Sequence, residues 1–128
     1  MAAEGFRGPR QLWNALRWSI KGLRAGWRYE ASFRFEICLA IVTIPLGLYL
    51  GHGALEKLAL VLPMFLVLST ELLNSAVEAV VDKVSPDFHE LAGRAKDMGS
   101  AAVFVLLVFM GLSWALIVGP RLPTLLGM

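Results

Sequence analysis

Residues 58–81 read LALVLPMFLVLSTELLNSAVEAVV. This stretch is long and apolar enough to cross a bilayer, yet it carries Glu71, Asn74 and Glu78. At about 100° per residue, steps of three and seven set all three polar groups on one helical stripe. Glu71 and Glu78 fall within about 20° of each other around the axis and roughly 10 Å apart along it. Asp82 continues the stripe one turn further. A carboxylate facing lipid costs several kcal/mol, so such residues face protein or water and commonly serve a site. Two neutral glutamic acids that only hold helices together by hydrogen bonds are the plainer alternative. An amide between two acids on one line favours a site.

Working outward towards the N-terminus, Gly51-His52-Gly53-Ala54 forms a tight turn, and His52 has no companion at metal-ligand spacing. Before it lies the apolar run Ile37 to Leu50. Counted from Ala31, with Arg34 snorkelling outward and Glu36 facing inward, this run gives a first span over 31–50. Pro45 is tolerable there, because neighbouring helices re-satisfy the freed carbonyl. Gly47 and Gly51 form one GxxxG, read either as a close-packing face or as chance spacing. Glu30 stands at the water boundary, where a carboxylate is either simply solvated or functional. Residues 9–28 are two-faced: Arg10, Asn14, Arg17, Lys21, Arg24 and Arg28 recur on one side, with Leu12, Trp13, Leu16, Ile20, Leu23 and Trp27 opposite. This pattern predicts an amphipathic helix lying in the membrane surface, each basic residue adding about 1 kcal/mol of attraction to an anionic leaflet. An amphipathic helix on a soluble core or a calmodulin-type target shares the pattern. Residues 1–8, with Gly5 and Gly8, are expected to fray.

Towards the C-terminus, Pro86 breaks the helical pattern and restricts Ser85 before it. Asp87 and Glu90 have the spacing of a capping box. The helix they would open carries His89, Arg94, Lys96 and Asp97, then runs on as an uncharged third span over 98–118. Pro120 and Pro123 are expected to close it.

Composition agrees with a membrane class. The chain is 57% hydrophobic with a mean hydropathy of +0.65, above the usual apolar share of soluble domains. Its 128 residues and formal charge of +2 describe one domain, 1–128, with too little charge to argue for nucleic acid. Cys38 is alone, so no disulfide framework is expected. The N-terminus shows no early apolar region or small-residue cleavage site, so no signal peptide is expected. Six Lys/Arg precede Glu30, and Lys83, Arg94 and Lys96 lie between spans two and three, against only Lys57 and Arg121 on the other side. The positive-inside bias therefore puts the N-terminus and the second loop in the cytoplasm and the C-terminus outside.

That topology gathers Glu30, Glu71, Asn74, Glu78, Asp87, His89, Arg94, Lys96 and Asp97 towards one side. Carboxylates suit Mg²⁺, which commonly shares its shell with substrate phosphates, and Lys and Arg suit the phosphates. A carboxylate beside a membrane-embedded hydroxyl suits general-base work. These parts describe phosphoryl transfer at a membrane surface, although neither a GxxxxGK(S/T) loop nor a soluble-kinase HRD loop is present.

The string Glu71-Leu72-Leu73-Asn74-Ser75-Ala76-Val77-Glu78-Ala79 resembles the signature of the prokaryotic diacylglycerol kinase family, small integral-membrane lipid kinases. The likeness continues through Ser85-Pro86-Asp87-Phe88-His89-Glu90 and Ala95-Lys96-Asp97-Met98-Gly99-Ser100-Ala101-Ala102. It is visible also in Lys21-Gly22-Leu23-Arg24-Ala25 and Glu30-Ala31-Ser32-Phe33-Arg34, and covers roughly residues 18–102. The resemblance implies an all-α membrane protein and a homotrimer. Each chain would carry a surface helix and three transmembrane helices, with sites shared between protomers near the cytoplasmic face of the bacterial inner membrane. It implies ATP-dependent phosphorylation of the primary hydroxyl of diacylglycerol to phosphatidic acid. By this likeness Glu71 is the base, Glu30 and Glu78 hold the Mg²⁺ of ATP, and Asn74 organises Glu71 and the lipid. Asp87, His89, Lys96 and Asp97 match nucleotide-contacting positions, joined by Gln11 (or Arg10), where the family has an arginine, and by Trp18, which replaces a tyrosine-like aromatic. Arg24, Ser32, Arg34, Glu36 and Ser100 match lipid-side positions. A sister branch phosphorylates undecaprenol with the same machinery; Met98-Gly99-Ser100 looks more like the diacylglycerol branch. A non-enzymatic ion-binding or ion-conducting oligomer is the reading from another class; the Lys96-Asp97 pair and the basic cluster weigh against it.

Overall fold

The computed structural model describes residues 8–128; residues 1–7, most of the stretch expected to fray, lie outside the described residues. Helix follows helix: α1 (Pro9–Tyr29), α2 (Ala31–Leu50), α3 (Gly53–Val84), α4 (Glu90–Ile117), a 3-10 turn (Gly119–Arg121) and α5 (Leu122–Leu125). Among the described residues there is no strand. The helical stretches beginning at Ala31, Gly53 and Glu90 are each long and apolar enough to cross a membrane.

Length sorts these helices. The 20 residues of α2 span about 30 Å, the thickness of a bilayer's hydrocarbon core. The 32 residues of α3 span about 48 Å. A helix of that length exceeds the thickness of a bilayer's hydrocarbon core. The helix accordingly extends beyond residues 58–81 at both ends.

α3 is the centre of the packing, with α2 on one side and α4 on the other. Ala40 of α2, Met64 and Val67 of α3 and Val103 of α4 form the buried cluster, lined by Leu39, Ile44, Leu68, Leu106 and Met110. The close approach of α2 to α3 is made at Gly47, where a Cβ would stand 3.1 Å from Leu60 Cβ. The GxxxG is thus a packing face within the chain, Gly51 being buried too. Trp114 of α4 fixes the other side, its indole N–H donating to Leu60 O at 3.1 Å. Pro63 sits fully buried inside α3 without ending it, as membrane helices allow.

One expectation at a helix end needs correction. α4 begins at Glu90 with His89 as its N-cap, and His89 Nδ1 accepts from Leu91 N at 3.1 Å. The Asp87/Glu90 capping box does not form, because the imidazole occupies the acceptor role that a capping Asp would fill. α4 ends at Ile117 with Val118 as its C-cap, just before Pro120, as expected. Pro120 and Pro123 then each sit in the first positions of a new short turn, where a fixed φ and missing N–H are no handicap.

Candidate active site

The stripe on α3 faces the bundle where it was expected to. Glu71 is 5% exposed and Asn74 9%, while Glu78, a turn nearer the helix end, is half-buried. Glu30 is the single residue between α1 and α2, in extended conformation (φ −113°, ψ 109°). Its N–H donates to Gly26 O at 3.0 Å and its carbonyl accepts from Arg34 N at 3.2 Å. The break leaves the last carbonyls of α1 short of partners. Arg34 answers it: Nη1 donates to Trp27 O at 2.9 Å and to Arg28 O at 3.3 Å, a cation at the negative end of a helix dipole.

Three carboxylates lie within electrostatic reach of Glu71. Glu78 and Glu30 both lie within its electrostatic reach, and Glu36, 5% exposed on α2, lies within reach of Glu71 in turn. Among the described residues three buried side-chain atoms have no hydrogen-bond partner: Glu36 Oε2, Asn74 Oδ1 and Ser75 Oγ. Buried polar atoms are nearly always paired, so each is open to a partner from outside the chain. Among the described residues, no group of three or more His, Cys, Asp or Glu converges to hold a metal ion on protein donors alone.

Two hollows flank the carboxylates. A groove of about 680 Å³ runs between α1 and α3, lined by Leu23, Gly26, Leu72 and Ala76 and bordered by Glu30 and Ser75. A smaller hollow of about 170 Å³ sits where α3 gives way to α4, lined by Asp82, Asp87, His89 and Lys96 among others. Lys96 forms an ion pair with Asp82 across the two helices and lies within electrostatic reach of Glu78. It therefore links the small hollow to the carboxylates.

The remaining candidates divide. Gln11, Trp18, Arg24 and Ser32 are exposed, the first three on α1, and Asp97 and Ser100 are exposed on α4. Sequence reading missed Gly99: a Cβ there would collide with Asn74 Oδ1, so the bare glycine lets α4 lie against the amide. It also missed the partner of Asp82, which was placed on the stripe with no task.

The profile of the family described as prokaryotic diacylglycerol kinase matches residues 17–118. The chain is 44% identical over 107 residues to a diacylglycerol kinase of Haemophilus influenzae, covering 84% of this chain and 91% of the relative. It is 39% identical over 115 residues to the diacylglycerol kinase of Escherichia coli K12, covering 90% and 94%. It is 42% identical over 114 residues to that of Pseudomonas aeruginosa, covering 89% and 93%. The chain belongs to the prokaryotic diacylglycerol kinase family, and it is an enzyme.

Proposed function

We propose that this enzyme transfers the γ-phosphoryl group of ATP to the primary hydroxyl of diacylglycerol, giving phosphatidic acid and ADP. The observation that carries this reading is the buried Glu71 beside Asn74, with Glu30 and Glu78 in electrostatic reach. Glu71 takes the hydroxyl proton as that oxygen bonds to the γ-phosphorus and the bond to the bridging oxygen breaks, releasing ADP. Asn74 holds Glu71 and the lipid hydroxyl in register. Lys96 exchanges Asp82 for phosphate oxygens, a point charge suited to that task. Asp87, His89 and Asp97, with Gln11 and Trp18 of α1, take the rest of the nucleotide. Arg24, Ser32, Arg34, Glu36 and Ser100 stand on the lipid side, where the apolar groove beside Glu30 offers room for an acyl chain.

The donor set fits Mg²⁺. Glu30 and Glu78 offer hard carboxylate oxygens and the one or two protein ligands such an ion usually takes when it shares phosphates and water. Bound there, the ion neutralises charge on the phosphates.

The chain works as a homotrimer with shared sites in the bacterial inner membrane. α1 lies in the cytoplasmic surface, three spans cross, and the C-terminus is outside. The exposed position of Lys83 and Arg94 at one end of the bundle agrees with the positive-inside bias. The exposed sides of α4 and the exposed candidates Trp18, Arg24, Ser32, Asp97 and Ser100 supply both the surface and the reason for assembly.

Purified protein in detergent micelles, given Mg·ATP with diacylglycerol or undecaprenol side by side, tests the reading. Phosphatidic acid formed preferentially supports it. Preference for the polyprenol would move the enzyme to the sister branch. No phosphorylated lipid, with cation flux through reconstituted vesicles, would overturn it for an ion-conducting oligomer.

A further inference from the structure

The end of the bundle away from the carboxylates carries a feature that phosphoryl transfer does not use. Arg121 donates through Nη1 to Glu56 Oε2 at 2.9 Å and through Nη2 to Glu56 Oε1 at 2.8 Å. It also reaches Leu50 O at 3.4 Å, and Glu56 Oε2 accepts from His52 N at 2.7 Å. A two-pronged guanidinium–carboxylate pair fixes direction as well as distance. The 3-10 turn is therefore tied back onto the last carbonyl of α2 and the first turn of α3.

That clamp decides where residues 119–128 go. Leu125 and Arg121 close a small cavity of about 230 Å³ with Tyr49, Leu50, His52 and Val118, so the segment folds over the end of α2 instead of leading away from it. Its only charged side chain is Arg121, already paired with Glu56. Leu122, Leu125, Leu126 and Met128 remain exposed, Leu126 at 70% and Met128 at 90%. They continue the exposed apolar surface of α4, at Leu112 and Leu116. The family match ends at residue 118, so this piece lies outside what the relatives' profile covers.

We propose that residues 119–128 form an anchor in the lipid headgroup region of the leaflet opposite the carboxylates, held flat by the Arg121–Glu56 clamp. Lipid is the occupant because the segment has no charged side chain apart from the clamped arginine, continues the surface of a span, and is held at the span's end. Amphipathic and apolar pieces at that depth bind by buried apolar area, and a neutralised arginine can stay there without snorkelling outward.

The proposal takes the three long helices to cross the bilayer, and its test separates the two. With the exposed Cys38 replaced (Cys38→Ala), an environment-sensitive dye is attached through Leu126→Cys or, as a span control, Val108→Cys. The protein is reconstituted in phosphatidylcholine–phosphatidylglycerol vesicles. Shallow lipid-borne nitroxide should remove most of the Leu126 signal, and iodide little of it, with deep nitroxide quenching Val108. Adding Arg121→Gln should shift the Leu126 dye towards iodide quenching, and the charge swap Glu56→Arg with Arg121→Glu should restore lipid quenching. Iodide quenching at Leu126 equal to that of the dye on glutathione, with Val108 still in lipid, overturns the anchor. So does protection from both quenchers, which would mean a second chain covers the segment. Iodide quenching at Val108 would instead overturn the spans.

Discussion

The two ends of this bundle handle polar groups in opposite ways. At the Arg121 end, a guanidinium, a carboxylate, a loop amide and a helix-end carbonyl satisfy one another within one chain. At the Glu71 end, carboxylates of like sign are brought close together, and Glu36 Oε2, Asn74 Oδ1 and Ser75 Oγ are left without partners. A closed set of partners fixes geometry and leaves nothing to offer a ligand. An open set stores unmet hydrogen-bonding and repulsion that a substrate, an ion or a neighbouring chain can relieve. The family profile covers Glu71 and its neighbours and also Leu50, His52 and Glu56, and stops short of Arg121 alone.

The contrast can be broken most severely at Glu71. Glu71→Gln keeps the shape and cannot take a proton, and loss of a positioned base typically costs about 10²–10⁴-fold. Turnover should collapse while nucleotide binding survives; a variant retaining half of normal turnover would remove Glu71 as the base. Mixing Glu71→Gln chains with Lys96→Leu chains, each inactive alone, should recover activity if the open end is completed across chains. Failure of recovery, together with active monomers in crosslinking, would confine the site to one chain.

Next in size is Glu78→Gln. A ligand present at a hundred times its Kd raises stability by about 2.7 kcal/mol, and the variant should lose most of that rise on adding Mg·ATP. Without ligand it should unfold at the same temperature or slightly higher, since one like charge has gone. An equal ligand-induced rise in both proteins would take Glu78 out of the metal site.

A smaller effect is expected at Gly99. Gly99→Ala pushes a methyl into Asn74 Oδ1, and overpacking typically costs about 1–3 kcal/mol. If about 1.4 kcal/mol of that falls on the transition state, turnover drops roughly tenfold, and Gly111→Ala, with open space around it, serves as the control. The least effect on catalysis belongs to the closed end. Arg121→Gln should lower the unfolding temperature in detergent, leave the ratio of kcat to KM unchanged, and be rescued by the charge swap with Glu56. A loss of turnover matching that of Gly99→Ala would mean the two ends are not independent.

Much of the open end was legible in the sequence because helical period reports directly which residues share a face. Glu71, Asn74 and Glu78 obey it, and Glu30 is marked by its place between a two-faced helix and an apolar run. What period cannot report is how closely two helices approach. The Asn74–Gly99 contact and the Asp82–Lys96 pair depend on the register of α3 against α4, which no spacing within either helix fixes. The Glu56–Arg121 pair spans 65 positions, and counting Arg121 as a lone outside charge hid it. His89 was read for its chemistry towards a ligand, and capping by an imidazole nitrogen has no common sequence signature. Gln11, Trp18, Arg24, Asp97 and Ser100 are exposed in the single chain, and helical period does not say what an exposed residue faces.

Glu30 is also a pivot. It is the only non-helical residue joining α1 to α2, so two backbone rotations at one carboxylate-bearing residue aim the whole 21-residue arm before it. The arm is about 30 Å long, and a swing of about 10° at its base carries the far tip about 5 Å. Whatever pulls on that carboxylate is thus applied directly at the fulcrum, with Trp18 and Gln11 riding on the lever.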